Sequence, residues 1–157
     1  MIRAAGTATL PQPPASARSG RSVAVLFADT SINFCMDTQK TLGAALVAYG
    51  YHVSYFPGSD ILGDTKRFLE STAAASGGAP ILRVIFAWLG HGGKADTHAR
   101  GFVCDEGGRN IPITSIEAVL NTSLSDDTQK LLILDNCNTD VDGEIPPPVS
   151  INPGACL

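Results

Sequence analysis

Cysteine is scarce in this chain, and its residues are spaced too widely to form a metal or redox motif. Cys35, Cys104, Cys137 and Cys156 include no CxxC pair, which removes the basis for a zinc ribbon or a thioredoxin-like site. Four cysteines in 157 residues are also too few for the disulfide framework of a small secreted domain. The cysteine content therefore favours a reducing compartment, in which a thiol enzyme can operate.

Long apolar runs and clusters of basic residues are missing as well. No stretch reaches the roughly 18 consecutive apolar residues that a membrane span needs, so we expect no membrane partner. The net charge is −4 and no basic stripe occurs, so we expect no nucleic-acid partner. The chain is 44% hydrophobic and 17% charged, a balance that allows a buried core, and its length fits one domain.

The first 28 residues contain no acidic side chain. Arginines among Ala, Ser and Pro resemble the composition of an organellar transit peptide, but three closely spaced prolines would break the amphipathic helix of such a leader. We therefore predict a disordered arm over residues 1–20 and a cytoplasmic protein, with an organellar leader as the alternative. A Pro-containing tail is predicted over residues 146–157, which leaves residues 21–145 as the folded domain.

Strands alternate with helices along this domain. Apolar runs predict strands over residues 22–28, 51–56, 81–89 and 131–134, helical periodicity predicts helices over 37–49, 60–75 and 112–120, and glycines predict a hairpin over 101–108. Continuous apolar runs are typical of strands that are covered on both faces. Strand–helix alternation therefore predicts a mostly parallel sheet in a three-layer α/β/α sandwich.

Two of the predicted strands end in a reactive side chain. His91 follows the apolar residues 86–89, and Cys137 follows the apolar residues 131–134. Adjacent parallel strands would bring these ends to one edge of the sheet, where open α/β sheets place their sites. A thiolate there is a nucleophile, an imidazole beside it is a general acid or base, and the amides of Gly92 and Cys137 would form an oxyanion hole. The alternatives are a buried, inert Cys137 and a loop histidine.

These two motifs resemble those of caspase-like cysteine peptidases, the group that contains caspases, paracaspases and metacaspases. The resemblance covers roughly residues 22–145. In that family one strand ends in Ser-His-Gly or Gly-His-Gly, here Gly90-His91-Gly92, and a second strand ends in the nucleophile, here Cys137. The resemblance implies an endopeptidase with His91 and Cys137 as its catalytic dyad. It also implies a caspase-like large-subunit (p20) domain, with the small subunit absent.

Two acidic residues indicate that, within this group, the chain most resembles metacaspases. Asp135 stands two residues before Cys137, where metacaspases and paracaspases carry an acid and caspases carry Gln. Asp37 stands in Cys35-Met36-Asp37, similar to the metacaspase Cys-x-x-Asp segment, although the cysteine is one residue closer. A carboxylate in a pocket would bind a basic P1 side chain, ideally Arg through two hydrogen bonds. We therefore expect cleavage after Arg or Lys, with Asp135 and Asp37 as P1-binding residues.

Other interpretations stay open at this point. The glycine-containing segment that follows the nucleophile in the family is replaced by Asn138-Thr139-Asp140, so the chain could instead be a weak or inactive module that acts through protein association. Asp37 could instead cap a helix N-terminus, and Asp135 could accept backbone hydrogen bonds. A flavodoxin-like binding domain is a third alternative, although the residues after the first strand lack a Gly-rich phosphate cradle.

The expected partners and cofactors follow from the resemblance. The partners are a peptide or protein substrate with a basic P1 residue, together with a small-subunit-like protein or a second copy of the chain. The chemistry requires no cofactor. Calcium is a candidate activator because metacaspases often need it, but Asp105 and Glu106, with Asp96 joining, supply too few carboxylates for a firm site. We therefore assign no metal ligand.

Overall fold

The computed structural model describes residues 20–94, 101–136 and 139–140. The strands are β1 Arg21–Ala28, β2 His52–Pro57, β3 Ile81–Gly90, β4 Gly92–Lys94, β5 Phe102–Cys104, β6 Asn110–Pro112, β7 Gln129–Asn136 and β8 Thr139–Asp140. The helices are α1 Asn33–Ala48, α2 Ile61–Ala75 and α3 Ile113–Ser123. The predicted arm, except Gly20, and the predicted tail lie outside the described residues, and so does Cys137.

A four-stranded parallel sheet forms the centre of the domain. Its strand order is β2-β1-β3-β7, and each neighbouring pair is parallel. Strands β1 and β3 are the two inner strands, and residues 23–28 and 84–89 within them are buried. The prediction of an α/β fold with a mostly parallel sheet is confirmed.

Helices cover both faces of this sheet. Because successive side chains of a strand point to opposite faces, β1 and β3 contribute to two separate apolar clusters. The first contains the large residues Val23, Val25, Phe27, Phe86 and Trp88 together with Ile61, Phe68 and Leu69 of α2 and Ile116 and Leu120 of α3. The second contains the smaller set Ala24, Leu26, Ile85 and Ala87 with Leu46 of α1. Each large side chain buried this way contributes about 1.5–3 kcal/mol of transfer free energy.

A second, smaller sheet lies beyond the end of β3. Its strand order is β6-β5-β4-β8, with antiparallel pairs between β4 and β5 and between β5 and β6, and a parallel pair between β4 and β8. The predicted hairpin at residues 101–108 is present as β5, a turn and β6. Strands β4 and β8 were not expected, because two or three residues carry no measurable alternation of polar and apolar side chains.

Several element boundaries differ from the predictions. Helix α1 begins at Asn33 rather than Asp37, and Ile32 precedes it without a side-chain capping hydrogen bond. Asp37 is therefore in the second turn, and the alternative in which it caps the helix is wrong. Strand β7 extends through Asn136, so that Asp135 is part of the strand rather than of the loop after it.

Candidate active site

The carboxyl ends of β3 and β7 lie side by side. Their pairing register can be compared with the spacing between the two predicted reactive residues, His91 and Cys137. Gly90 at the end of β3 pairs with Asn136 at the end of β7, and Gly93 in β4 pairs with Thr139 in β8. Both pairs have the same sequence offset of 46 residues (136 − 90 and 139 − 93). That offset equals the spacing between His91 and Cys137.

The main chain of His91 is fixed between the core and the small sheet. Its carbonyl oxygen accepts one hydrogen bond from Nε1 of Trp88 at 2.8 Å and another from the backbone N–H of Cys104 at 2.9 Å. Trp88 is fully buried, whereas the His91 side chain is 59% exposed. The fold therefore holds the backbone of this residue firmly and presents its imidazole at the surface.

Glycines on both sides of His91 allow this close approach of several chain segments. A Cβ atom on Gly90 would lie 2.7 Å from Cβ of Asp29 and 2.7 Å from the Trp88 ring. A Cβ atom on Gly92 would lie 2.6 Å from the Asn136 side chain and 2.6 Å from a backbone oxygen of β5. The Gly-His-Gly motif is thus required by packing, independently of any role that the Gly92 amide has toward an oxyanion.

Asp29 is a site residue that the sequence analysis missed. It follows β1 directly, and its backbone N–H donates to the carbonyl oxygen of Leu89 at 2.9 Å. Its Oδ1 atom accepts hydrogen bonds from the backbone N–H of Ser31 at 2.9 Å and from the Ser31 hydroxyl at 2.5 Å. Its Oδ2 atom lies 3.9 Å from Nε2 of His91, and the Asp29 side chain is only 5% exposed. The strand-end argument that identified His91 applies equally to this aspartate.

An open cavity of about 500 Å³ surrounds this pair. The described residues that line it come from the loop after β1, from His91 and from the β5–β6 turn: Asp29, Thr30, Ser31, His91, Cys104, Asp105, Glu106 and Gly108. Three of these carry carboxylates, and His91 is the one basic side chain among them. The lining therefore favours a basic or neutral ligand over an acidic one.

The β5–β6 turn is held in place by its own carboxylates. Asp105 accepts hydrogen bonds from the backbone N–H of Arg109 at 2.8 Å and from its guanidinium at 2.6 Å. Burial acts to raise the pKa of Asp105, but these hydrogen bonds outweigh it, so the pKa lies below the usual value. Glu106 accepts from the backbone N–H and the hydroxyl of Thr30, at 2.9 and 2.6 Å. The turn is thereby joined to the loop that carries Asp29.

These hydrogen bonds reduce the capacity of Asp105 and Glu106, the candidate calcium ligands, to bind a metal ion. The Asp105 carboxylate is already neutralised by Arg109, and Glu106 is engaged by Thr30. Within residues 20–94 and 101–136 no group of three or more His, Cys, Asp or Glu side chains is arranged to hold a metal ion. Asp96 lies outside the described residues.

Cys104 lines the cavity beside His91. Its thiol is partly buried and lies 3.1 Å from Oδ1 of Asn110. Burial raises the pKa of this thiol, and the negative charges of Asp105 and Asp29 raise it further. A raised pKa lowers the thiolate fraction at neutral pH and so opposes a nucleophilic role. Cys35, by contrast, is buried against Ala28 and Leu89.

The two predicted P1-binding acids, Asp135 and Asp37, are both exposed. Asp135 is exposed and pairs in register with Leu89, and strand alternation places it on the same face as Ile133, which packs on the α1 side. The Asp37 side chain is 83% exposed and lies 3.8 Å from Nζ of Lys40. Among the described residues, those that line the cavity beside His91 include neither acid. Their assignment to a P1 pocket stays a prediction.

Comparison with models of known protein families finds no match to this chain, and comparison with curated proteins finds none either. In the part of the chain that the structure describes, no helix combines the length and apolar character needed to cross a membrane. The chemistry open to the site therefore depends on its own residues. These provide an exposed imidazole on a fixed backbone, a buried carboxylate beside it and an open acidic cavity.

Proposed function

We propose that this chain is a caspase-like cysteine endopeptidase, nearest to metacaspases, with His91 and Cys137 as its catalytic dyad. The observation that carries the proposal is the shared offset of 46 residues in the strand pairs on either side of these positions. Neighbouring strands lie about 4.8 Å apart, and the proposal requires Cys137 to continue this register at one strand spacing from His91. The parallel sheet between two helical layers supports a caspase-like fold for the domain.

The proposed reaction proceeds through a thioester. The Cys137 thiolate attacks the carbonyl carbon of the scissile peptide bond, and the amides of Gly92 and Cys137 donate to the oxyanion that forms. His91 gives a proton to the departing amine as the C–N bond breaks. Water then attacks the thioester, His91 takes a proton from that water, and the carboxylate product leaves as the thiolate is regenerated. No cofactor takes part in these steps, and calcium is proposed only as an activator.

We propose a basic P1 residue for the substrate. Asp135 and Asp37 are the acids that the family resemblance assigns to this role. The exposed carboxylate of Glu106 in the lining of the cavity beside His91 supports the same preference, because it attracts a cationic side chain. An acidic P1 residue would meet like charges there.

Turnover of two fluorogenic peptides, one with Arg at P1 and one with Asp, tests this proposal with and without millimolar calcium. We expect cleavage of the Arg peptide only. Cys137→Ala should abolish it. Cys104→Ser removes the thiol that lines the cavity beside His91 and should leave at least about half of the activity, because the raised pKa of that thiol argues against a nucleophilic role. Activity that survives Cys137→Ala, or that is lost in Cys104→Ser, would contradict the assignment of the nucleophile.

A second candidate function is a non-catalytic module that binds a small-subunit-like partner or a second copy of the chain. Strand β7 is at one end of the described sheet order, and Leu131 and Asp135 on its α1-side face are exposed. An edge strand of this kind is a ready surface for association. Stable complex formation by a chain whose Cys137 does not react with a basic, thiol-directed affinity reagent would favour this function over the peptidase.

A further inference from the structure

We propose that Asp29 is a positioning residue for His91, which sets the orientation of the imidazole and the nitrogen that carries its proton. The inference rests on the proposed dyad and extends it to a third group. Oδ2 of Asp29 lies 3.9 Å from Nε2 of His91, close enough for an ion pair and about 1 Å longer than a hydrogen bond. Such contacts are often loose in unliganded sites and tighten when substrate binds.

The Asp29 carboxylate is held so that one particular oxygen faces the ring. Both hydrogen bonds from Ser31 go to Oδ1, and the backbone of Asp29 is tied to Leu89 at the end of β3. Gly90 is packed against Cβ of Asp29, so the aspartate and the strand that leads into His91 move together. Oδ2 is therefore the oxygen directed toward Nε2.

The consequence is a defined tautomer. A negative charge 3.9 Å from Nε2 favours the neutral imidazole that carries its proton on that nitrogen, so Nδ1 can exchange a proton with the thiol or the departing amine. When Nδ1 is protonated, the buried negative charge of Asp29 stabilises the imidazolium that results. The proton delivered to the leaving amine thus comes from Nδ1.

Asp29→Asn and Asp29→Ala separate this role from a structural one. In Asp29→Asn, the backbone N–H of Ser31 continues to donate to Oδ1, so Oδ1 stays beside Ser31 and the NH₂ group of the asparagine faces Nε2 of His91. An NH₂ group donates a hydrogen bond, so Nε2 must accept it, and the imidazole then carries its proton on Nδ1. Asp29→Ala removes the carboxylate but imposes no tautomer. We expect kcat to fall roughly 10²- to 10⁴-fold in Asp29→Asn, as when the wrong tautomer is enforced in a serine protease triad, and to fall less in Asp29→Ala. KM should change less than about threefold in both.

A purely structural role predicts the reverse order, because alanine loses more packing and more hydrogen bonds than asparagine. Thermal unfolding of each variant identifies any that fails to fold. Asp64→Asn in α2 makes the same chemical change beside Arg67, away from the cavity, and controls for loss of a carboxylate. Higher activity in Asp29→Asn than in Asp29→Ala would overturn the proposal.

Nitrogen-15 NMR of the imidazoles provides a readout that does not depend on peptidase activity. At pH about 8.5, above the usual titration range of histidine, His91 should carry its proton on Nε2 in the unsubstituted chain and on Nδ1 in Asp29→Asn. His91→Gln assigns the resonances. If the His91 tautomer is the same in the unsubstituted chain and in Asp29→Asn, and the unsubstituted chain cleaves the Arg-P1 peptide, the role of Asp29 is refuted and the proposed peptidase function is not. If the tautomer changes as expected but the unsubstituted chain cleaves no peptide, the positioning role of Asp29 is supported and the proposed peptidase function is refuted.

Discussion

The Nε2 atom of His91 lies 3.9 Å from the Oδ2 atom of Asp29, at the carboxyl edge of the central sheet. The two residues follow adjacent parallel strands, whose last paired residues are Ala28 and Leu89. Parallel strands bring their carboxyl ends to one edge, so this meeting is a direct result of the strand order. The same edge receives the end of β7, which precedes Cys137 in the sequence.

We expect Gly90→Ala to disturb both stability and the site. The new methyl group would lie 2.7 Å from Cβ of Asp29 and from the buried Trp88 ring, neither of which has free space to move into. Overpacking of this kind costs about 1–3 kcal/mol, and it would displace His91 from Asp29. Urea unfolding measures the first effect, and turnover of the Arg-P1 peptide measures the second.

Gly58→Ala is the matched control for that substitution. Its methyl group would also meet the Trp88 ring at 2.7 Å, but Gly58 lies in the loop after β2, and the next nearest side-chain atom is Cγ of Glu106 at 3.4 Å. We expect a similar loss of stability with activity reduced much less than in Gly90→Ala. Equal losses of activity in the two variants would show that packing against Trp88, rather than the approach of His91 to Asp29, governs the effect.

Stability should depend on pH through Asp105. Its pKa in the folded chain lies below the usual value, because hydrogen bonds from Arg109 outweigh the effect of burial. The resulting stabilisation is fully present above the unfolded-state pKa of about 4 and is lost as the pH falls through the lower folded-state value. The Asp105 side chain is 1% exposed and the Arg109 side chain is 67% exposed. Water therefore contacts the ion pair on the Arg109 side.

Arg109→Gln should therefore reduce the free energy of unfolding by about 1 kcal/mol at pH 7, and the difference from the unsubstituted chain should narrow as the pH is lowered below about 4. Urea unfolding at several pH values measures it. Arg67→Gln is the control, since Arg67 pairs with Asp60 and Asp64 at the surface, where ion pairs contribute little. A constant difference across the whole pH range would contradict the role of Asp105.

Cys104 should react slowly with iodoacetamide at pH 7.5. Burial, followed by the negative charges of Asp105 and Asp29, raises the pKa of its thiol, and the thiolate is the reactive form. We expect alkylation at least roughly fivefold slower than for a reference peptide thiol, followed residue by residue by mass spectrometry. Asp29→Asn removes one of the negative charges and should accelerate it. Alkylation as fast as that of the reference would contradict this assignment.

The sequence predicted the layers of the fold well, because long apolar strands and periodic helices carry strong signals. The run at residues 81–89 became β3, with Val84 through Leu89 buried. Of the small second sheet, only the hairpin of β5 and β6 was predicted. Pairing of β4 with β8 depends on tertiary contacts between segments that are too short to show a pattern of their own.

The sequence predicted the position of His91, whereas the catalytic roles of the site residues stay predictions. His91 stands at the sheet edge and lines a cavity there, as its position after an apolar strand indicated, and the outcome for Cys137 falls outside the described residues. The predicted first strand, residues 22–28, stops before Asp29, and the closeness of Asp29 to His91 depends on the order β2-β1-β3-β7, which spacing along the chain does not reveal. Asp37 was placed at a helix start because helical periodicity was recognised only from that residue onward.

The most direct test of the account is covalent labelling with a peptidyl chloromethyl ketone that carries Arg at P1; the thiolate displaces chloride, and mass spectrometry locates the modified cysteine. We expect modification at Cys137, retained in Cys104→Ser and lost in His91→Ala, because the thiol needs the imidazole to react. Modification at Cys104, or labelling of Cys137 that is unaffected by His91→Ala, would contradict the proposed dyad.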